Sequence, residues 1–286
     1  MSFGREEHSH RRRRGLPTQR KTPLRLLLLL VLLVILLALL GIGALLATRS
    51  FGNEVSGKVA SENSINSDRD PSLSISNERG KIRIEGVKAA ESVELEVTKY
   101  ALGADLQEAR ERASEVTANI SKRDSNIVIE TNGGRETGAD CTVQAPQGSS
   151  VAIESGAGDV EVANLEGDVS IRAGAGDVEV NGTKGSVEIS SLQGDVEVSD
   201  VSTDTEQVDV DVGVGNAVMR DLVIGTLDVQ VETGDIFLSG RFSGSGQALV
   251  QTGDIIVRLS PEEARDLTFQ TRVGSVVREP NKPGEE

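Results

Sequence analysis

The sequence has very few of the side chains from which most catalytic and metal sites are built. It contains one cysteine, Cys141, and two histidines, His8 and His10, which both lie among the first ten residues. A Ser–His–Asp triad, a Cys–His pair, a histidine-ligated zinc site and an intramolecular disulfide are therefore excluded from the main body. The sequence predicts no catalytic residue, no cofactor-binding residue, no metal ligand and no cofactor, so we expect a protein that is not an enzyme.

Aromatic residues and positive charges are also scarce. Aromatics make up 2% of the chain, with no tryptophan, which indicates a thin aliphatic core. The 30 basic residues are outnumbered by 45 acidic ones, for a net charge of −15. Eight of the basic residues lie in residues 1–25, so the remainder is even more acidic. An acidic body argues against a nucleic-acid partner, because phosphate binding requires a basic surface.

Residues 26–47 form a long run without any charge, LLLLLVLLVILLALLGIGALLA. A helix of this length would be roughly 33 Å long, enough to cross the hydrocarbon core of a membrane. A buried helix fits this uniformly apolar run poorly, and a cleaved signal peptide is the alternative. Basic residues precede the run, which predicts a single-pass anchor with residues 1–25 in the cytoplasm and the C-terminal domain outside the cell membrane.

Residues 48–69 are polar and show no period, which predicts a flexible linker. An extracytoplasmic domain is expected over residues 70–280, followed by a disordered tail at 281–286. Its main feature is a motif of the type GDVEV, with glycines at 158, 176, 194, 215, 234, 253 and 274, which are 18 to 21 residues apart. A similar unit surrounds Gly80.

Apolar residues recur at fixed places around these glycines, seven and five residues before and two and four residues after. At the first three glycines they are Val151, Ile153, Val160 and Val162; Val169, Ile171, Val178 and Val180; and Val187, Ile189, Val196 and Val198. Each unit therefore reads as two short strands with a corner glycine between them, whose following Asp bonds its own turn. Stacked units predict an all-β fold, a β-solenoid of 18–21-residue rungs. The unit before Gly253 has Gly246 and Ala248 at core positions, which predicts a bulge there.

A different segment separates the first unit from the array. Apolar residues at helical spacing predict an amphipathic helix at about 104–122, flanked by strands. This α/β insertion is the candidate end cap that a solenoid requires, and Cys141 is expected to pack inward as a small apolar residue.

The arrangement resembles the bacterial toast-rack domain family of unknown function, whose members carry the label "putative adhesin". The resemblance rests on LSISNERGKIRIEGVKAAESVELEVTKYA at 73–101, the helix that follows, TVQAPQG at 142–148, and the GDVEV-type strands. It covers residues 70–280 or nearly so. It implies a bacterial envelope protein with a surface or envelope-stress role, and it carries over no catalytic residues.

Three classes of function fit these features. The first is a non-catalytic, membrane-anchored interaction module, adhesin-like or an envelope-stress scaffold, whose acidic surface meets a protein or another cationic envelope partner. The second is a calcium-binding solenoid that uses turn residues such as Asp159 and Asp177, although calcium-binding repeats place Asp one residue further from the glycine. The third is a polysaccharide-acting enzyme with paired carboxylates. The partner and the oligomeric state are not predicted.

Overall fold

The computed structural model describes residues 55–67 and 70–279, and there the chain forms twenty strands and one helix. Four strands precede the helix α1, Leu106–Glu115, and three more follow it before the array. They are β1 Val55–Asn66, β2 Ser72–Asn77, β3 Ile82–Val87, β4 Ser92–Gly103, β5 Ala118–Arg123, β6 Asn126–Thr131 and β7 Thr137–Pro146. The array follows as β8 Ser150–Ala157, β9 Val160–Ala163, β10 Val169–Ala175, β11 Val178–Asn181, β12 Val187–Gln193, β13 Val196–Ser199, β14 Ser202–Val214, β15 Ala217–Thr233, β16 Ile236–Phe242, β17 Gly246–Thr252, β18 Ile255–Arg258, β19 Leu267–Val273 and β20 Val276–Arg278.

Equivalent strands of successive coils pair in parallel, which confirms the predicted solenoid. The first face contains β6, β2, β8, β10, β12, the ends of β14 and β15, β17 and β19. The second face contains β7, β3, β9, β11, β13, the start of β15, β16, β18 and β20. In both faces the pairing joins residues at the same place in the repeat, such as Val169 with Val187 and Val178 with Val196.

The core consists of the apolar residues that the repeat places inward. Val178 is 1% exposed, and Val180 and Val196 are fully buried. Each coil has only a narrow strip of Val, Ile or Leu, and the strip becomes buried only when another coil covers it. The alternating pattern in the sequence therefore predicted the inward side chains correctly.

A third, shorter face explains the unequal repeat lengths. It pairs Ser202–Thr203 with Val223–Ile224, and Val223–Ile224 with Arg241–Phe242. The register shifts between Thr203 and Gln207, where extra residues lengthen the coil, and again between Met219 and Leu222. The bulge predicted before Gly253 is wrong, because β17 pairs through Gly246 and Ala248 in unbroken register with both neighbours.

The segment predicted as an end cap also contributes a coil of the solenoid. Strands β6 and β7 form a coil that lies on the β2–β3 coil, whose other side is covered by β8 and β9. Beyond that coil, β4 pairs antiparallel with β7, β1 with β4, and β5 with β6. Helix α1 packs on β1 and β4, where Gly57 and Gly103 let its backbone approach at Ala109.

The helix is shorter than predicted. It begins after the N-cap Asp105, whose carboxylate accepts from the Glu108 amide, and it ends at Glu115. Val116 is already extended, and Ile120, expected on the helix, lies on β5. The β-branched pair Val116–Thr117 and the hydrogen bond from the Thr117 amide to Asn132 Oδ1 (2.7 Å) favour this early end.

The linker expected over 48–69 is wrong for residues 55–66, which form β1 along the full length of β4. The cytoplasmic tail at 1–25, the apolar run at 26–47 and the tail at 281–286 lie outside the described residues. Where the chain is described, no helix is long and apolar enough to cross a membrane.

Candidate functional site: the stacked carboxylates

From the β2–β3 coil onward, the corner between the first and second faces is a glycine with a positive φ. Gly176 has a φ of 126°, in the region that favours glycine. A Cβ atom at Gly176 would lie 2.4 Å from the carbonyl oxygen of Gly158 in the preceding coil. The corner glycines therefore stack directly on one another, and their lack of a side chain lets the coils approach to pairing distance.

The aspartates that follow these glycines form a ladder between coils. The Oδ1 atom of Asp159 accepts the amide of Asp177 at 3.2 Å, and Oδ1 of Asp177 accepts the amide of Asp195 at 2.9 Å. Later rungs continue the pattern: Asp195 to the Asn216 amide (2.8 Å), Asn216 to the Asp235 amide (3.0 Å), Asp235 to the Asp254 amide (2.8 Å) and Asp254 to the Ser275 amide (2.7 Å). The sequence predicts that each Asp bonds its own turn, and this prediction is wrong, because each Asp accepts an amide of the next coil instead.

The ladder begins within the segment that the sequence analysis assigned to the cap. Oδ1 of Asp140 accepts the amide of Lys81 at 3.0 Å. Ala139 and Asp140 thus occupy the place of a Gly-Asp corner, and Cys141 follows at the inward position that is paired with Ile82. Because Ala139 replaces the glycine, the repeat motif gave no signal for this coil.

Cys141 packs inward as predicted and is 1% exposed. Desolvation by burial, reinforced by the negative charge of Asp140, raises the pKa of its thiol to about 12. The thiol therefore stays protonated and unreactive at neutral pH.

A second set of carboxylates stands on the solvent side of the second face. Glu161, Glu179 and Glu197 are aligned in register on β9, β11 and β13. Glu161 forms ion pairs with Lys81 and Arg83, and Glu197 with Arg220. Glu179, between them, has no ion-pair partner within the described residues. Together with Asp159, Asp177 and Asp195 these glutamates line a groove of about 350 Å³.

A third set lies on the first face, where Glu188, Asp209 and Asp228 are aligned on successive coils. Partial burial raises the pKa of the Asp209 carboxyl, and the charges of Asp228, Glu188 and Asp211 raise it further. Arg172 reaches Glu188 at only 3.8 Å, and both side chains are largely exposed. Asp209 lines a groove of about 370 Å³, together with Ser150, Asp168 and Ser186.

The arrangement of these acids differs from that of a metal site. Within residues 55–67 and 70–279, no three His, Cys, Asp or Glu side chains are placed to hold one ion. Asp159 and Asp177, the residues considered for calcium, do lie close together, but each uses an oxygen to accept a backbone amide. What the geometry provides is acidic residues aligned in register on both faces.

Comparison with known proteins identifies the fold family. A family model described as Toastrack DUF4097 matches residues 71–282. No curated protein is significantly similar to the chain in sequence.

Several solved structures from bacteria are among the structural matches. A putative adhesin from Bacteroides fragilis is 13% identical, with 77% of this chain and 97% of that chain covered and a TM-score of 0.47. A putative adhesin from Parabacteroides distasonis is 17% identical, with 77% and 97% covered and a TM-score of 0.46. A putative cell adhesion protein from Clostridium sporogenes is 10% identical, with 78% and 100% covered and a TM-score of 0.38.

Proposed function

The chain belongs to the Toastrack DUF4097 family, and from that premise we propose that it is a non-catalytic, adhesin-like protein of the bacterial cell envelope. Its solenoid serves as an interaction surface for a cationic partner, a protein or another positively charged envelope component. The described residues supply carboxylates in rows rather than a nucleophile beside a base, and rows of like charge suit recognition of an extended partner better than chemistry at one bond.

The observation that carries the proposal is the excess of aligned acids over cations on the array. Residues 150–257 contain twenty Asp and Glu against four Lys and Arg. Glu161, Glu179 and Glu197 lie side by side on the second face, and Glu188, Asp209 and Asp228 on the first. Like charges at this spacing repel one another, so a cationic ligand that spans several coils relieves repulsion while it gains attraction.

Binding of a fluorescent oligolysine peptide to the full-length protein in detergent tests this proposal. We expect binding that weakens as salt is raised, because exposed charges are screened. The variant with Glu179→Gln, Glu188→Gln and Asp209→Asn should bind several-fold more weakly than the natural sequence.

The matched control removes three exposed carboxylates near the cap, by Glu91→Gln, Glu94→Gln and Glu115→Gln. Both variants change the net charge equally, so only the position of the charges differs. Equal weakening by the two variants, or binding that does not respond to salt, would contradict a specific role for the aligned acids.

We place the solenoid on the outer side of the cell membrane, anchored by residues 26–47 with the N-terminus inside. The support is the basic residues that precede the apolar run and the smaller number that follow it. Protease added to intact spheroplasts should digest residues 70–286, while a tag at the N-terminus remains intact. Protection of the C-terminal domain would reverse the orientation.

A further inference from the structure

The two ends of the solenoid are built differently. At the N-terminal end, α1 packs on β1 and β4, and its Ala109 and Ala113 are both fully buried. At the C-terminal end, Val276 occupies the core position that Ile236 and Ile255 fill in earlier coils. Those isoleucines are fully buried, whereas Val276 is 38% exposed. Among the described residues, nothing covers the last coil.

The longer edge strand of the last coil is β19, which belongs to the first face. Strand β20 is three residues long, and Arg278 stands at its core position with its guanidinium 5.8 Å from the centre of the Phe269 ring. A charged residue turned toward the core blunts an edge against further pairing. Strand β19 has seven residues and pairs only with β17 within the described chain, so its outer side is available.

The hydrogen-bonding groups of β19 point toward that side in a defined pattern. In the array, the amides of Val151 and Val169 donate to the following coil. Leu267 is the equivalent residue of the last coil, where its amide donates to the Ala264 carbonyl at 3.4 Å, and β19 is in unbroken register with β17 as far as Thr271. By alternation, the backbone groups of Phe269 and Thr271 therefore face the open end.

We propose that the C-terminal edge binds a second copy of this chain, with β19 antiparallel to β19 of the partner about a two-fold axis at Gln270. Phe269 then lies opposite Thr271 of the partner subunit, and the two residues exchange backbone hydrogen bonds. Leu267 lies opposite Val273 of the partner subunit, which covers a valine that is 61% exposed in the single chain. The shared strand pair joins the two aliphatic cores.

Charge favours a second copy in this register. Arg272 and Asp266 are exposed, and neither forms an ion pair within the described residues. In the proposed pair Arg272 is a diagonal neighbour of Asp266 of the partner subunit, and symmetry produces this contact twice. Residues 258–279 contain four basic and four acidic side chains, whereas the array before them is strongly acidic. Two copies can therefore approach end to end with less repulsion than side by side.

The N-terminal end is built differently, because there the cap adds antiparallel strands and a helix beyond the β6–β7 coil. A contact between equivalent ends closes after two copies and does not propagate into a fibre.

Cysteine cross-linking in cells that express the full-length chain tests the inference. Gln270 on the axis lies opposite itself in a non-hydrogen-bonded pair, where Cα atoms are about 4.5 Å apart, within disulfide reach. Mild oxidation should convert the Gln270→Cys variant into a covalent dimer. Gln230→Cys is the matched control, because Gln230 is exposed at the equivalent place on the first face. Cys141 is buried and should not contribute.

The charge contact supplies a second arm. On the Gln270→Cys background, Arg272→Asp should lower the dimer yield several-fold, and the added change Asp266→Arg should restore it, because the two charges exchange places. No dimer from Gln270→Cys, equal yields from Gln230→Cys, an adduct whose mass is not twice that of the chain, or failure of the restoring change would each overturn the inference.

Discussion

Thr183 lies seven residues after the corner glycine of its coil, at the place that Leu165, Val201 and Leu222 fill in neighbouring coils. Its side chain is fully buried, and its hydroxyl has no hydrogen-bond partner in the part of the chain that the structure describes. A buried hydroxyl without a partner retains its desolvation cost. We expect Thr183→Val, which keeps the shape and removes the polar atom, to raise the free energy of unfolding by about 1 kcal/mol in a denaturant titration.

Thr131 is the matched control for this substitution. It is 5% exposed, and its hydroxyl donates to Oδ1 of the buried Asn77 at 2.6 Å. Thr131→Val removes that bond and leaves the amide oxygen with only the longer bond from the Arg79 amide at 3.3 Å, so it should lower the free energy of unfolding by about 0.5–1.5 kcal/mol. If both valine variants changed the free energy of unfolding in the same direction, the conclusion that the Thr183 hydroxyl is buried without a partner would be wrong.

Asp209 should make stability depend on pH in the acid range. Its folded-state pKa is raised, first by burial and then by Asp228, Glu188 and Asp211. When folding raises the pKa of an acid, the folded protein is less stable with that acid charged than with it protonated. Its ionisation therefore lowers the free energy of unfolding as pH rises from its unfolded value of about 3.9 to its higher folded value.

Asp209→Asn should remove that contribution and stabilise the protein at neutral pH. Thermal melting at neutral pH and at mildly acidic pH measures both effects, since the variant should gain most where Asp209 is charged. Glu91→Gln, at an exposed position near the cap, serves as a control that should change little. A neutral-pH melting temperature for Asp209→Asn at or below that of the natural protein would show that the aligned acids do not repel.

At the scale of the coil, one rung of the Asp ladder has an uncharged residue. Asn216 replaces aspartate on one rung, and its Oδ1 still accepts the next amide at 3.0 Å. An oxygen acceptor is therefore sufficient, and the charge is not required. We expect Asp177→Asn to leave stability within about 0.5 kcal/mol, whereas Asp177→Ala, which strands the Asp195 amide, should cost about 0.5–1.5 kcal/mol. Chemical denaturation of the two variants distinguishes the roles, and equal losses would mean that the charge matters.

The coil was predictable from sequence because apolar and polar residues alternate along a strand that buries only one face. Val178 and Val180 face inward while Glu179 faces outward, as the period of two requires. The partner of each Asp was not predictable, because the amide that it bonds belongs to a residue 18 to 21 positions later in the array. The end of α1 was missed for a related reason, since Asn132, which follows β6 in the chain, accepts the Thr117 amide and helps to fix the extended chain there.

At the scale of the whole molecule, the order of coils departs from the order of the sequence. The β6–β7 coil lies before the β2–β3 coil in the stack, although it comes later in the chain. Without a glycine at Ala139, nothing in the repeat marks this coil. The array itself is sequential, so each coil from β8 onward depends mainly on its immediate neighbours. The cap holds the segment around β2 and β3 in place through pairings between distant parts of the chain.

Stability of the whole solenoid should not require calcium. The Oδ1 atoms of the ladder, from Asp159 through Asp254, already accept amides of the following coil, so a metal ion would have to compete with hydrogen bonds that hold the coils together. An ion that binds only the folded state raises the melting temperature in proportion to its affinity. We expect millimolar calcium and magnesium to raise the melting temperature of the full-length protein equally and slightly, because both screen the acidic faces, and we expect a chelator to have no effect. A rise of roughly ten degrees or more with calcium alone would mean tight, specific binding to the folded state. The carboxylate rows would then be a calcium site, and the calcium-binding solenoid would replace the function proposed here.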